Sequence, residues 1–302
     1  MPKENTHLFL INGIMEAMDH ADVRGILRAN YDALCFGGIM ADTFFYSSNK
    51  DVVKFGEVLH GKDGEKTNWL TFELLDHARR RKCERFLSLS MGYISHCVFD
   101  ITFHPVIYYL TGNYYDKDEE KRDRAVYNHR LMETRLDSHV NGRYYLDEIL
   151  DEHDQFVHET LELIADKSNM TNHDLLKAYR KQIRGNKCFR NGFMHKLIHL
   201  LSRLRILDYK NVLPLFYHHL KKQEMVLAET ITYRDIISGK EIERSLESLL
   251  KHAQDESIRR IKTAFAYYAD EVDLAGAMQV IKGESLDTGR EECPVHLVTC
   301  TV

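Results

Sequence analysis

Three residues with metal-ligating side chains, His96, Asp100 and His104, stand four apart within residues 86–115, FLSLSMGYISHCVFDITFHPVIYYLTGNYY. On an α-helix each step of four turns about 40° around the axis, so the three share a face about 80° wide over two turns. The stretch holds no Lys, Arg or Glu, and Asp100 is its only formally charged residue. A buried carboxylate without an internal partner is costly unless a cation or a hydrogen-bond network compensates it. Imidazole and carboxylate are the usual ligands of a divalent metal, so the row reads as a ligand set; the competing reading is a hydrogen-bonded polar core. A second row, His129, Glu133 and Asp137, repeats the spacing in NHRLMETRLDSH. There Arg130 and Arg135 offer ordinary ion pairing on a solvated helix as the alternative. Taken together, the two rows form facing ligands of the kind that build metal sites inside helical bundles.

The elements that must position these residues read as helices. Four Pro and 16 Gly in 302 residues leave few breakers, and long β-branched runs are absent. The expectation is an all-α fold, a multi-helix bundle with a metal cluster between core helices, formed as one domain over residues 1–302. Helices are expected over 7–30 with Thr6 as N-cap, 69–83, 86–112, 145–166, 172–184, 193–206, 211–230 and 240–283. The pair Gly37-Gly38 permits close backbone approach, and it leads to Asp42 in a run without a basic residue from Tyr31 to Asn49. His60, followed by Gly61 and Gly64, falls at a helix end or in a loop. Phe44, Phe45 and Tyr46 read as core or as a pocket wall. The tail ECPVHLVTCTV reads as a short strand or a frayed end.

Several other features read as ordinary surface. Arg79, Arg80, Arg81 and Lys82 suit a solvated helix C-terminus, with phosphate binding as the alternative. His195 and His199 lie beside Lys196 and Arg203, and the adjacent His218 and His219 cannot both face one site on a helix. A net charge of −5 gives no reason to expect nucleic-acid backbone binding. Six isolated cysteines fit reduced thiols better than a disulfide framework. The apolar run 86–112 is long enough to raise a transmembrane reading, which three ionisable groups at its middle argue against. The N-terminal residues lack a basic region followed by an uninterrupted apolar one, so no signal peptide and a cytoplasmic location are expected.

The order His7, Asp42, His60, His96, Asp100, His104, His129, Glu133 resembles the zinc-dependent phospholipase C family, whose all-α fold is shared with S1/P1-type nucleases. The matching phrases are THLF, GGIMADTFFY, GYISHCVFDITFHP and HRLME, and they cover roughly residues 5–140. The resemblance implies one zinc on His60, His96 and Asp100 and a second on His104, His129 and Glu133. In secreted members a third zinc uses a processed N-terminal Trp, a His corresponding to His7, and the bridging Asp corresponding to Asp100. Here the only Trp is Trp69, so two zinc ions are expected, with a third left open. Asp42 is placed among the metal residues, as general base or hydrogen-bond acceptor for the attacking water. Asp137 is a candidate for orienting a histidine.

The resulting expectation is a zinc-dependent phosphodiester hydrolase acting on a phospholipid or a related small phosphodiester. A nuclease-type phosphoesterase on the same fold and a non-catalytic helical metal-binding or interaction protein are the alternatives. Residues 145–302 are expected to add helices of unassigned role.

Overall fold

The computed structural model describes residues 3–140, 144–204, 206, 209–220, 229–299 and 301. The fold is built on α6 (Glu84–Thr111), which is apolar around its whole circumference and buried along most of its length. A helix of this kind belongs at the centre of a bundle. It is also the one described helix long and apolar enough to cross a membrane, but 89% of its apolar window is buried against other helices. Around it pack α1 (Glu4–Ala17), α3 (Tyr31–Thr43), α5 (Trp69–Arg81), α7 (Glu119–Val140) and α12 (Leu246–Tyr268).

The crossing of α3 and α6 is the tightest, and glycine sets it. A Cβ on Gly92 would lie 2.0 Å from the Leu34 carbonyl oxygen, and one on Gly37 would lie 2.1 Å from that of Leu89. No side chain fits between backbones that close. This approach carries the last turn of α3, with Asp42, up to the metal-type residues of α6.

The remaining helices are α2 (Ala21–Ala29), α4 (Lys50–Leu59), α8 (Leu146–Ile149), α9 (Gln155–Ser168), α10 (Asn172–Phe189), α11 (Gly192–Arg203) and α13 (Leu274–Val280). Side-chain caps explain several starts. Asp154 accepts from the Phe156 amide, Thr171 from Asp174, and Asn191 from Phe193 and Met194.

Four helix expectations need correction. The helix expected over 7–30 is two, because residues 18–20 leave helical geometry and His20 caps α2. Thr6 is not the N-cap: α1 starts at Glu4, and the Thr6 amide donates to Asp137 at 2.7 Å instead. The span 145–166 breaks at residues 150–154, where Asp154 begins a new helix. Of 211–230, residues 221–228 lie outside the described residues. The part before them forms two 3₁₀ turns, Leu213–Leu215 and Tyr217–His219, with Pro214 in the first. The span 240–283 contains a strand, α12 and α13, with Ser245 capping α12. That strand, β2 (Glu241–Ser245), pairs antiparallel with β1 (Thr230–Arg234), Thr230 opposite Ser245. The described tail forms a 3₁₀ turn, Val295–Leu297, rather than a strand.

The five described cysteines, Cys35, Cys83, Cys97, Cys188 and Cys293, are free thiols. Arg79 and Lys82 pair with Asp270 and Arg81 with Glu159, all exposed, which is the solvated helix end that the sequence suggested.

Candidate metal centre

The eight residues drawn from five separate stretches of chain converge at the end of the bundle where α1, α3, α6 and α7 meet the C-terminus of α4. His7 closes the first turn of α1, Asp42 lies in the last turn of α3, and His60 is the C-cap of α4. α6 supplies His96, Asp100 and His104, and α7 supplies His129 and Glu133. All eight are buried, none more than 3% exposed.

Their donor atoms fall into two groups. Asp42, His60, His96 and Asp100 form one, and His104, His129 and Glu133 the other, with the donors of each within 4.8 Å of one another. Asp100 stands between the two. Its Oδ2 faces His96 Nε2 at 3.2 Å and His60 Nε2 at 3.7 Å, while its Oδ1 faces His104 Nε2 at 3.8 Å and His7 Nε2 at 3.6 Å. Asp42 Oδ1 lies 3.4 Å from His60 Nε2 and 3.7 Å from His96 Nε2. In the second group His129 Nε2 lies 3.0 Å from Glu133 Oε1.

Three histidines have their Nε2 atoms aimed inward because a backbone carbonyl holds the other nitrogen. His60 Nδ1 bonds the Gly56 carbonyl at 2.7 Å, His96 Nδ1 that of Gly38 at 2.9 Å, and His104 Nδ1 that of Leu286 at 2.9 Å. A carbonyl accepts and cannot donate, so each Nδ1 carries the proton and each Nε2 presents its lone pair to the site. These three Nε2 atoms, and both oxygens of Asp100, make no hydrogen bond. Buried polar atoms left in this way are expensive, and a cation between them would satisfy them together. The donor chemistry therefore fits a divalent metal such as zinc.

Electrostatics agree with this. Among the described residues no Lys or Arg pairs with Asp42 or Asp100; their charged neighbours are histidines. Burial opposes the charge on Asp100, but His104 and His96 more than offset it and hold its carboxyl well below the usual range. Asp42 is lowered against burial too, chiefly by the neighbouring His96 and His60. In return, and again against burial, Asp100 and Asp42 push His96 up to about 9. His7 goes the other way, lowered to about 3 by burial and by His96, on which its ring stacks at 4.2 Å. The site thus demands positive charge, and without a metal a histidine must supply it.

A family model described as zinc dependent phospholipase C matches residues 6–193. The chain belongs to the zinc-dependent phospholipase C family. The match reaches past the 5–140 that the sequence phrases covered, to the end of α10 and the start of α11. No curated protein and no solved structure matches the chain significantly.

Two parts of this family member's site were not foreseen. Leu286 and Asp287 reach it from far along the chain. Besides the Leu286 carbonyl, Asp287 Oδ1 lies 3.5 Å from His104 Nδ1 and accepts from the Tyr108 hydroxyl at 3.0 Å. Arg260, only 5% exposed, holds this segment by pairing with Glu284 at 2.7 Å and with Glu256 at 2.7 Å. Asp137, conversely, orients no histidine. It accepts from Thr6 and from the Tyr217 hydroxyl at 2.7 Å, tying α7 to the start of α1.

Beside the metal-type residues opens a cavity of about 400 Å³. Its wall includes Phe45, Tyr46, Tyr108, Tyr114, Tyr115 and the cation Arg130. Of the three aromatics at the end of α3, Phe44 is core, while Phe45 and Tyr46 face the cavity. Lys3 lines it as well, lowered by burial to about 8.

Proposed function

We propose that this chain is a zinc-dependent phosphodiester hydrolase that cuts a phospholipid, or a related small phosphodiester, on the glycerol side of its phosphate. The observation that carries the reading is Asp100, a buried carboxylate shared between two groups of inward-facing donors, of which Asp42, His60, His104, His129 and Glu133 line a cavity. His60, His96 and Asp100 would hold one ion and His104, His129 and Glu133 a second. His7 with Asp100 offers a place for a third, since both His7 ring nitrogens lack a hydrogen bond among the described residues. Bound zinc lowers the pKa of water and neutralises charge on the phosphate oxygens.

The chain's own residues do the rest. Asp42 Oδ1 makes no hydrogen bond, and the carboxyl stays ionised, so it can accept a proton from the attacking water. Arg130 is braced by the Asn211 carbonyl at 2.7 Å and by the Tyr114 hydroxyl at 3.2 Å, which supports a role in orienting a phosphate. Lys3, still cationic at neutral pH, adds a second positive charge to the same cavity. The apolar aromatic wall suits a lipid headgroup and its glycerol end better than a polymeric nucleic acid, which the acidic net charge also disfavours.

The test is metal content by mass spectrometry, in the wild type and in Asp100→Asn, followed by hydrolysis of a soluble short-chain phospholipid. Two or three zinc ions per chain, falling in the variant, together with release of diacylglycerol, are the expected result. A protein never exposed to chelator that carries no stoichiometric metal would sink the reading. Full metal occupancy without turnover on any phosphodiester would favour the non-catalytic alternative instead.

A further inference from the structure

The helix α11 (Gly192–Arg203) has no buried residue. Phe193 is 73% exposed, Leu197 38%, Leu200 52% and Leu204 58%, and Ile206 follows at 60%. These are five of the eight large apolar side chains exposed among the described residues, so they form a patch rather than the usual scatter. Positions 193, 197, 200 and 204 lie within about 60° of one another on a helical wheel, a single stripe. The opposite side of α11 is anchored: His195 packs on Phe216 and lies within reach of His219.

Charge identifies what this stripe faces. Between residues 175 and 210 the chain carries ten Lys or Arg against one acidic residue, in a protein whose net charge is −5. On α10, Arg184, Lys187 and Arg190 are tied to Glu152 and Asp147. On α11 itself there is no Asp or Glu, and Lys196 and Arg203, both exposed, pair with no carboxylate among the described residues. They flank the apolar stripe on one side. An apolar stripe edged with unpaired cations is the pattern of a helix lying in a lipid–water interface. A second copy docked antiparallel through the same face by two-fold symmetry would set these cations against their own kind. Position agrees: α11 packs on the turn Leu213–Leu215 and on α10, and Val212, Leu215 and Phe189 of these segments line the cavity beside the metal-type residues.

We infer that α11 is the lipid-docking element of this protein, its stripe entering the surface of an anionic phospholipid layer next to the cavity wall. The inference rests on the phospholipase reading for its purpose but not for its physics. Burying two leucine side chains and placing two cations at an anionic surface each change binding by at least about tenfold.

The experiment is co-sedimentation of the full-length, zinc-loaded protein with phosphatidylcholine vesicles, with and without phosphatidylserine. It compares the wild type, L197D/L200D and K196E/R203E. Hydrolysis is read separately on a soluble short-chain phospholipid below its micelle concentration. The expected result is wild-type binding that strengthens with phosphatidylserine. L197D/L200D should bind at least about tenfold more weakly, K196E/R203E should lose the preference for phosphatidylserine, and both should retain soluble-substrate turnover. Wild-type protein that fails to bind, variants that bind equally, or a wild-type dimer that L197D/L200D converts to monomer would each overturn it. Vesicle binding that follows these substitutions in a protein without turnover would uphold the docking helix and refute the hydrolase reading alone.

Discussion

Removing the metal should turn the site into a pH-sensitive weak point of the fold. In the metal-free protein the charge of Asp100 and Asp42 is balanced by protonated His96, whose pKa rises from 6.5 to about 9. A group whose folded pKa is raised stabilises fully below its unfolded value, and that stability drains away as pH rises toward the folded one. His60 shifts in the same direction against its burial, through Asp42. On the acid side His7, lowered to about 3, acts oppositely: its contribution is intact above 6.5 and is lost as pH falls. Metal-free protein should therefore be most stable near pH 6.5. The clean window is pH 6.5 to 8, because Asp137, raised to about 6, has finished titrating below it and Lys3, lowered to about 8, begins to add stability above it.

Across those 1.5 pH units His96 alone removes about 2 kcal/mol, at about 1.4 kcal/mol per unit. For a chain of this size that is a fall in melting temperature of roughly 3 °C. A zinc ion held by His96 would occupy the place of that proton and supply the positive charge itself, so the loaded protein should show no such fall. Melting curves by circular dichroism, in EDTA and with zinc, at intervals from pH 6 to 8, read the difference directly. Metal-free protein whose melting temperature stays level or climbs from 6.5 to 8, or zinc-loaded protein that falls in parallel, would refute the reasoning.

Other substitutions probe the supports of the site. Gly92→Ala sets a methyl group 2.0 Å from the Leu34 carbonyl oxygen and should destabilise by about 3 kcal/mol or more, read by urea unfolding; a loss under 1 kcal/mol would mean that the α3–α6 crossing is not fixed there. Arg260→Met leaves Glu284 and Glu256 without their shared cation and should cost about 2–3 kcal/mol, less than a fully buried pair because both carboxylates keep some water. Asp287→Asn weakens the polar support of His104 while leaving the Leu286 carbonyl in place, and should lower affinity for one zinc by about tenfold in a chelator competition; loss of both ions together would show that the two groups do not fill independently.

The candidate ligand residues could be picked out because helical periodicity is a local property. His96, Asp100 and His104 on one helix and His129 and Glu133 on another need only the rule that every fourth residue shares a face; the structure keeps the first row on α6 and the first two members of the second on α7, while Asp137 bonds Thr6 and Tyr217 instead. Helix boundaries were harder for a reason equally local. The splits at residues 18–20 and 150–154 are made by capping, through His20 and Asp154, without a Pro or Gly to mark them. The strands over 230–245 went unseen because alternation over five residues is too short to outweigh a helical neighbourhood.

What no pattern could reveal is how the ligands are held. The acceptors for His60, His96 and His104 are the main-chain carbonyls of Gly56, Gly38 and Leu286, and every residue type carries a carbonyl. Gly38 serves His96 only because Gly37 and Gly92 let α3 and α6 touch, a signal present in the sequence as a glycine pair without a stated partner. Leu286 serves His104 across 182 residues, through a segment pinned by Arg260 and Glu284 and by the Leu286 amide on the His60 carbonyl at 2.8 Å. That one segment therefore braces two histidines, His60 and His104, that belong to different donor groups. The C-terminal region is coupled to the candidate metal centre through its backbone. Its Leu286 carbonyl keeps the proton of His104 on Nδ1, while its Leu286 amide holds the main chain of His60.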